Sequence, residues 1–278
     1  MHEALTNALP HSSDLIRARR SVRSFEKRTP EAAVIEKLLE YGKNIENPFG
    51  IPVDFRVLHA AQHGLLCPVT NGTELYVGGK IAIRPFANAA FGYSFEKFLL
   101  YAQSLGLGSV WLGGTMNRSA FEQAMELNEN EMMPCAAPIG YPAKRMTVRE
   151  TAMRKAIKAD ERLPFEDLFF DGGFTKPLTP EKADTLRLPL EAVRLAPSAV
   201  NKQPWRVVLA DGCAHFYLQR SKGFARSGVL DMQMIDMGIA LCHFELCAAE
   251  CGLAVEFTQL APAPDSVEAE YIASYRIR

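Results

Sequence analysis

Two stretches in opposite halves of the chain carry residue types suited to chemistry. The first, Arg19-Arg20-Ser21-Val22-Arg23, concentrates guanidinium groups on a chain whose 31 lysines and arginines nearly balance 32 acids. Planar guanidinium forks serve phosphate or carboxylate binding well, and a solvated basic helix end is the plainer alternative. The second runs Ala196-Pro197-Ser198-Ala199-Val200-Asn201-Lys202-Gln203-Pro204-Trp205. Its prolines fix backbone angles and the groups between them form hydrogen bonds, which suits holding a flat polar ligand. A weaker signal is Gly113-Gly114, where backbone N–H groups can approach a ligand closely but where an ordinary turn is equally at home.

The elements that must position these residues follow from hydrophobic periodicity. A short helix is expected after Ser12, Ser13 and Asp14, which can cap it, with residues 1–13 as a loosely held arm. Thr29-Pro30-Glu31 opens an amphipathic helix stopped at Gly42, and strands are expected at 55–58 and 75–83, with Gly78-Gly79 marking a bend or close approach. Phe91 to Leu105 and Asp236 to Gly252 read as helices apolar nearly all round, hence central. Residues 106–115 pass from a helix stop through a strand into the glycine turn, a strand ends near Pro142, and 143–163 is a Lys/Arg-rich connection, extended or helical. In the second half, a helix at about 180–195, strands at 206–209, 255–260 and 269–277, and a half-buried edge strand at 214–219 are expected.

Length and composition bound the function class. With 278 residues, 48% of them hydrophobic, the chain can bury a large core, and its balanced charge offers no global field for nucleic acid or a membrane surface. Neither a signal-peptide core nor a bilayer-spanning run is present, so a cytoplasmic location is expected. Six cysteines without a C-x-x-C pair are read as reduced, mostly packed thiols. His243, Cys247 and Cys251, with Asp236 and Glu250 a heptad either side of the histidine, form a narrow polar stripe best read as packed core. The aromatic residues Phe91, Phe95, Phe98 and Tyr101 are core at helical spacing, and Gly78-Gly79-Lys80 lacks the spacing of a phosphate loop.

An internal repeat organises all of this. Laying Phe91–Leu107 over Met237–Leu253 pairs Gly92 with Gly238, Phe98 with Phe244 and Gly106 with Gly252. A slightly different offset places Phe55-Arg56-Val57 on Trp205-Arg206-Val207. The functional loops are not duplicated: Asn47-Pro48-Phe49-Gly50-Ile51-Pro52 occupies the first-half place of the Pro197–Asn201 loop without its serine. The expected fold is α+β, two tandem halves at 14–170 and 171–278, divided at Asp171-Gly172-Gly173, whose long helices pack as the subunits of a symmetric dimer would.

These motifs together resemble the nitroreductase superfamily of flavin enzymes, in the branch where two nitroreductase-like halves are fused. The resemblance rests on R-R-S-x-R at 19–23, A-P-S-x-x-N-x-Q-P-W at 196–205, G-L-G-S-V-W-L-G-G at 106–114 and Gly140-Tyr141-Pro142. It implies FMN as cofactor, with Arg19, Arg20 and Ser21 on the ribityl phosphate, Arg23 at the pyrimidine edge of the ring, and Gly113 and Gly114 near flavin N5. Arg162 matches a second phosphate-binding arginine, although Asp160 stands where the family often has another basic residue. From the second half, Pro197, Ser198, Ala199 and Asn201 close over the ring.

The implied reaction is ping-pong: NAD(P)H reduces FMN and leaves, and a flat electron acceptor such as a nitroaromatic or quinone takes its place. A cation near N1 and O2 favours the anionic reduced ring, and no side-chain nucleophile is required. No nucleic-acid or membrane partner is expected, and the internal pseudo-dimer makes a monomer the expected state. A non-catalytic flavin-binding or sensory protein is the alternative, motivated by the loss of one ancestral site. A pocket now accepting another nucleotide or anion is a third.

Overall fold

The computed structural model describes residues 9–224, 228–260 and 269–278. The first half runs α1 (Ser12–Ala18), α2 (Ala32–Lys43), β1 (Asp54–His59), α3 (Ala60–His63), β2 (Leu75–Ala82), α4 (Ala87–Ser104), β3 (Gly108–Ser109), α5 (Arg118–Ala124), β4 (Glu131–Met132), β5 (Ala136–Gly140) and α6 (Val148–Ala156). After β6 (Phe169–Asp171) at the junction come α7 (Arg187–Leu195), β7 (Trp205–Ala210), β8 (Cys213–Leu218), α8 (Met232–Glu250), β9 (Val255–Thr258) and β10 (Glu270–Ile277).

The repeat is visible in the sheets. The first has the strand order β1-β2-β5-β3, with β4 also paired to β2; the second is β6-β7-β8-β10-β9. Replacing β1, β2, β5 and β3 by β7, β8, β10 and β9 turns one order into the other, and every corresponding pair is antiparallel. The exception is β6, which runs parallel to β7, Phe169 opposite Val207, so the strand at the end of the first half lies in the second sheet.

Between the sheets α4 and α8 pack against each other, buried over most of their lengths because both are apolar on nearly every face. Asp231 caps α8 by accepting from the Met234 N–H at 3.1 Å. The chain turns out of these helices at Gly106 and Gly252, repeat counterparts with φ of 82° and 71°, a left-handed conformation that glycine adopts without steric cost.

Several expectations are corrected. Residues 1–8 of the expected arm lie outside the described residues, but Leu9, Ser12 and Ser13 are buried, and His11, not a serine, precedes α1. Ser13 is held by Glu250, which accepts its N–H at 2.8 Å and its hydroxyl at 2.9 Å. Gly42 lies inside α2 rather than ending it; a Cβ there would meet Phe98 at 2.9 Å, so its role is close packing. The Pro30 turn precedes α2, and α7 begins at Arg187 instead of about 180. The expected edge strand at 214–219 is central: β8 lies between β7 and β10 and all its residues are buried, His215 bonding Ser274 Oγ at 2.7 Å. The Lys/Arg-rich connection is helical as α6, with Thr147 as cap.

Candidate functional site

The arginine segment leaves α1 at Arg19, whose φ and ψ of −62° and 129° start an extended run. That run lies beside β3: the Val22 N–H donates to Ser109 O at 2.8 Å, and Ser21 bridges to Ser109. Two buried carboxylates receive it. Glu96, on α4, lies 3.7 Å from Arg19 Nε; Glu150, on α6, lies 3.6 Å from Arg20 Nη1 and accepts the Arg23 N–H at 3.2 Å and the Ser24 hydroxyl at 2.6 Å. The Glu96 and Glu150 side chains are 0% and 1% exposed, so both charges depend on these partners.

Glu96 also joins the halves. Its Oε1 is 3.0 Å from His243 Nε2 and its Oε2 accepts the Trp111 indole N–H at 2.9 Å. Burial works to raise its pKa, but the His243 hydrogen bond, the Arg19 charge and the Trp111 bond leave it below the ordinary carboxylate value. His243 Nδ1 meets Ala192 O at 2.9 Å, so the ring is held between α4 and α7.

Arg154, on α6, completes the basic cluster. Its Nη1 reaches Ser21 O at 3.5 Å, and it pairs with Asp160, the residue noted above as a departure from the family's basic one. The pKa of Arg19 is lowered first by burial, with Glu96 opposing and Arg154 adding to it; Arg23 is lowered first by burial, with Glu150 opposing and Arg154 again adding. Arg162 is lowered first by burial and then by Arg19. These guanidinium groups therefore share one electrostatic neighbourhood.

The loop from the second half is strained and tied down. Val200, Asn201 and Gln203 have φ of 50°, 54° and 49°, which non-glycine residues hold only where surrounding contacts fix them. Those contacts reach the first half: Asn201 Nδ2 donates to Lys158 O at 2.7 Å and Glu161 O at 3.0 Å, and Gln203 Oε1 accepts the Leu163 N–H at 2.9 Å. Arg162 donates to Ala159 O at 2.9 Å and lies 3.5 Å from Asn201 Oδ1. Ser198 Oγ accepts the Gln203 N–H at 2.8 Å, and the Ala199 N–H meets both oxygens of buried Asp236 at 3.0 and 3.2 Å. Burial raises the Asp236 pKa well above its ordinary value, with the Ala199 N–H opposing.

The glycine turn approaches the same helix. A Cβ on Gly113 would meet Met232 Cε at 2.6 Å, whereas one on Gly114 would meet nothing within 4 Å. Cys135 lies near both this turn and Asp236, and burial pushes its thiol pKa up to about 12.

Arg19, Arg20, Ser21, Arg23 and Arg162 thus gather around α6 and the residue 158–162 turn, with Asn201 joined to that turn. Gly113, by way of Met232, and Ala199, by way of Asp236, both meet α8. Pro197 leads into the loop without a side-chain hydrogen bond of its own. Sequence reasoning missed Glu150 and Arg154, which look in one dimension like the other charges of their connection. It also missed Glu96 and the Arg118 side chain that holds the glycine turn. The polar stripe of α8 was visible; three of its five members each anchor another segment, Asp236 the loop, His243 Glu96, and Glu250 α1. Among the described residues no cluster of His, Cys, Asp and Glu is arranged to hold a metal ion, and no helix is long and apolar enough to cross a membrane.

The profile of the family described as "Putative TM nitroreductase" matches residues 13–248. Among solved structures, a Thermotoga maritima protein described as a "putative nitroreductase" is 19% identical, with 96% of this chain and 92% of that chain covered and a TM-score of 0.60. An oxidoreductase described as containing FMN (13% identical, 59% and 92% covered, TM-score 0.49) and a Clostridium difficile FMN-dependent nitroreductase (15%, 48% and 88%, 0.41) resemble only parts of the chain, too distantly to carry an argument. No curated protein matches. The Thermotoga likeness spans nearly the whole chain and shows a nitroreductase fold, here built as two tandem halves, and the profile match over most of the sequence makes this chain a member of the TM nitroreductase family.

Proposed function

We propose that the chain is an FMN-dependent NAD(P)H oxidoreductase of the cytoplasm, acting on a flat acceptor such as a nitroaromatic or quinone. One observation carries this reading. Of seven buried side-chain N and O atoms without a hydrogen-bond partner among the described residues, five belong to the arginines: Arg19 Nε, Arg20 Nη1, Arg23 Nε and Nη1, and Arg162 Nε. Arg19 Nε and Arg20 Nη1 face Glu96 and Glu150 at ion-pair distance only; buried donors without a hydrogen bond are costly, and a cluster of them marks a place for an anion with several acceptor oxygens. Charge agrees with this: Arg19, Arg20, Arg23, Arg154 and Arg162 face the carboxylates of Glu96, Glu150 and Asp160, leaving an excess of two positive charges to match a phosphate dianion.

In this reading Arg19, Arg20, Ser21 and Arg162 hold the phosphate, Arg23 binds the pyrimidine edge, the Gly113-Gly114 backbone borders N5, and Pro197, Ser198, Ala199 and Asn201 bound the ring. FMN, when bound, supplies two-electron transfer between nicotinamide and acceptor. The chain's own residues neutralise, orient and exclude water; none is needed as nucleophile or general base.

The halves, 14–170 and 171–278, then share one site per chain. At the pseudo-symmetric place Phe49 stands where the repeat puts Ala199, stacked on Phe86 at 5.6 Å and edge-on to Phe257 at 5.0 Å. Phe257 is itself the counterpart of Trp111, so aromatic side chains fill the second position. A monomer with one FMN follows.

Anaerobic mixing of the FMN-loaded protein with NADH and with NADPH tests the enzyme reading. Bleaching of the flavin absorbance is expected with at least one of them. Bound flavin that neither reduces would leave the non-catalytic flavin protein standing, and a chain that takes up no FMN would end both.

A further inference from the structure

Arg118, at the start of α5, makes an arrangement that the arginine cluster does not use. Its Nη2 donates to Gly113 O at 2.6 Å and to Pro134 O at 3.1 Å, and its Nη1 donates to Met133 O at 2.8 Å. Glu122, a turn along α5, lies 3.4 Å from Nη1. One planar fork thus clamps three main-chain carbonyls, a geometry a lysine ammonium does not reproduce. The start of α5 is fixed in turn by Asn117, whose Oδ1 accepts the Leu66 N–H at 2.7 Å and whose Nδ2 donates to Gly64 O at 2.9 Å.

A trans peptide directs its C=O and N–H to opposite sides. With the Gly113 carbonyl held against α5, the Gly114 N–H faces away from Arg118. Among the described residues that N–H has no hydrogen-bond partner, and the space at Gly114 is open where that at Gly113 is closed by Met232. Two adjacent glycines could rotate this peptide freely; Arg118 removes that freedom.

We propose that Arg118 is a positioning residue: by clamping the Gly113 carbonyl it presets the Gly114 N–H as a hydrogen-bond donor to the N5 edge of the flavin. The inference rests on the FMN reading above. A preset donor to a redox-active ring atom acts differently on its two oxidation states, because no reorganisation is needed when the ring's electron density changes. Arg118 therefore sets the relative affinity of the site for oxidised and reduced FMN, while the arginine cluster on the phosphate sets the affinity common to both.

Arg118→Lys, which keeps the charge but not the fork, is the variant to compare with wild type and with Glu122→Ala. The affinity of each for oxidised FMN, by fluorescence quenching, and the potential of the bound flavin are the readouts. Arg118→Lys should bind oxidised FMN within about threefold of wild type while its oxidised-to-reduced affinity ratio changes about tenfold, less than removing a whole preorganised donor costs; Glu122→Ala should change neither. An unchanged ratio in a folded, FMN-binding Arg118→Lys would overturn the inference and leave the FMN reading intact. Wild-type protein that binds no FMN would overturn both.

Discussion

Gly92 and Gly238 are reciprocal partners across the central helix pair. A Cβ on Gly92 would lie 2.1 Å from Ile235 O, and one on Gly238 would lie 1.9 Å from Ala89 O. Ile235 precedes Gly238 by the same three positions by which Ala89 precedes Gly92, so the helices cross at a local two-fold axis. Each glycine lets the opposite backbone reach van der Waals contact, and the correspondence read from the repeat is the one that the packing uses.

Gly92→Ala and Gly238→Ala should each destabilise the fold by about 1–3 kcal/mol through overpacking against backbone that cannot rotate away. Urea denaturation is the measurement. Stability unchanged in either variant would contradict the close crossing.

Glu96→Gln should cost about 3–5 kcal/mol, because it leaves Arg19 and His243 buried without their shared carboxylate. The pH dependence has a definite sign. The folded-state pKa of Glu96 lies below its ordinary value, so its contribution is complete above the unfolded carboxylate pKa and is lost as pH falls through the folded one. Denaturation midpoints compared at neutral pH and at progressively acid pH should show a shallower acid limb for the variant.

Arg20→Ala and Asn201→Ala should both weaken FMN binding, although they lie in opposite halves. Arg20 loses a charge-assisted contact worth about 1.5–3 kcal/mol, tenfold or more in Kd. Asn201 acts through the loop, which loses its bonds to Lys158 O and Glu161 O. Titration with FMN checks both, and wild-type affinity in either variant would break the shared site.

Flavin should bind at one per chain. Phe49→Ala should lower stability, toward the low end of about 3–5 kcal/mol since the ring is only half buried, and leave the stoichiometry unchanged, because nothing near 175–187, the corresponding stretch of the second half, resembles Arg19-Arg20-Ser21-Val22-Arg23. Two flavins per wild-type chain, by absorbance against protein concentration, would refute the aromatic plug.

The repeat and the two loops were legible because each depends on local pattern: Gly92 and Gly238 sit in helices of nearly the same apolar template, and Pro197 to Asn201 is set off by turn chemistry. Arg154 and Glu150 were not, because nothing in a Lys/Arg-rich connection says which charges turn inward until α6 packs. β8 looked like an edge because polar side chains such as His215 alternate with apolar ones; only its place between β7 and β10 buries both faces. Gly42 reads as a stop in sequence, yet Phe98 requires its missing side chain inside α2.

In a dimer of two identical chains every substitution appears twice, and a bulky residue that closed one site would close its twin. Phe49 holds the place in the first half that Ala199 holds in the second, and with the two halves written separately along one chain a substitution at either place alters one side alone.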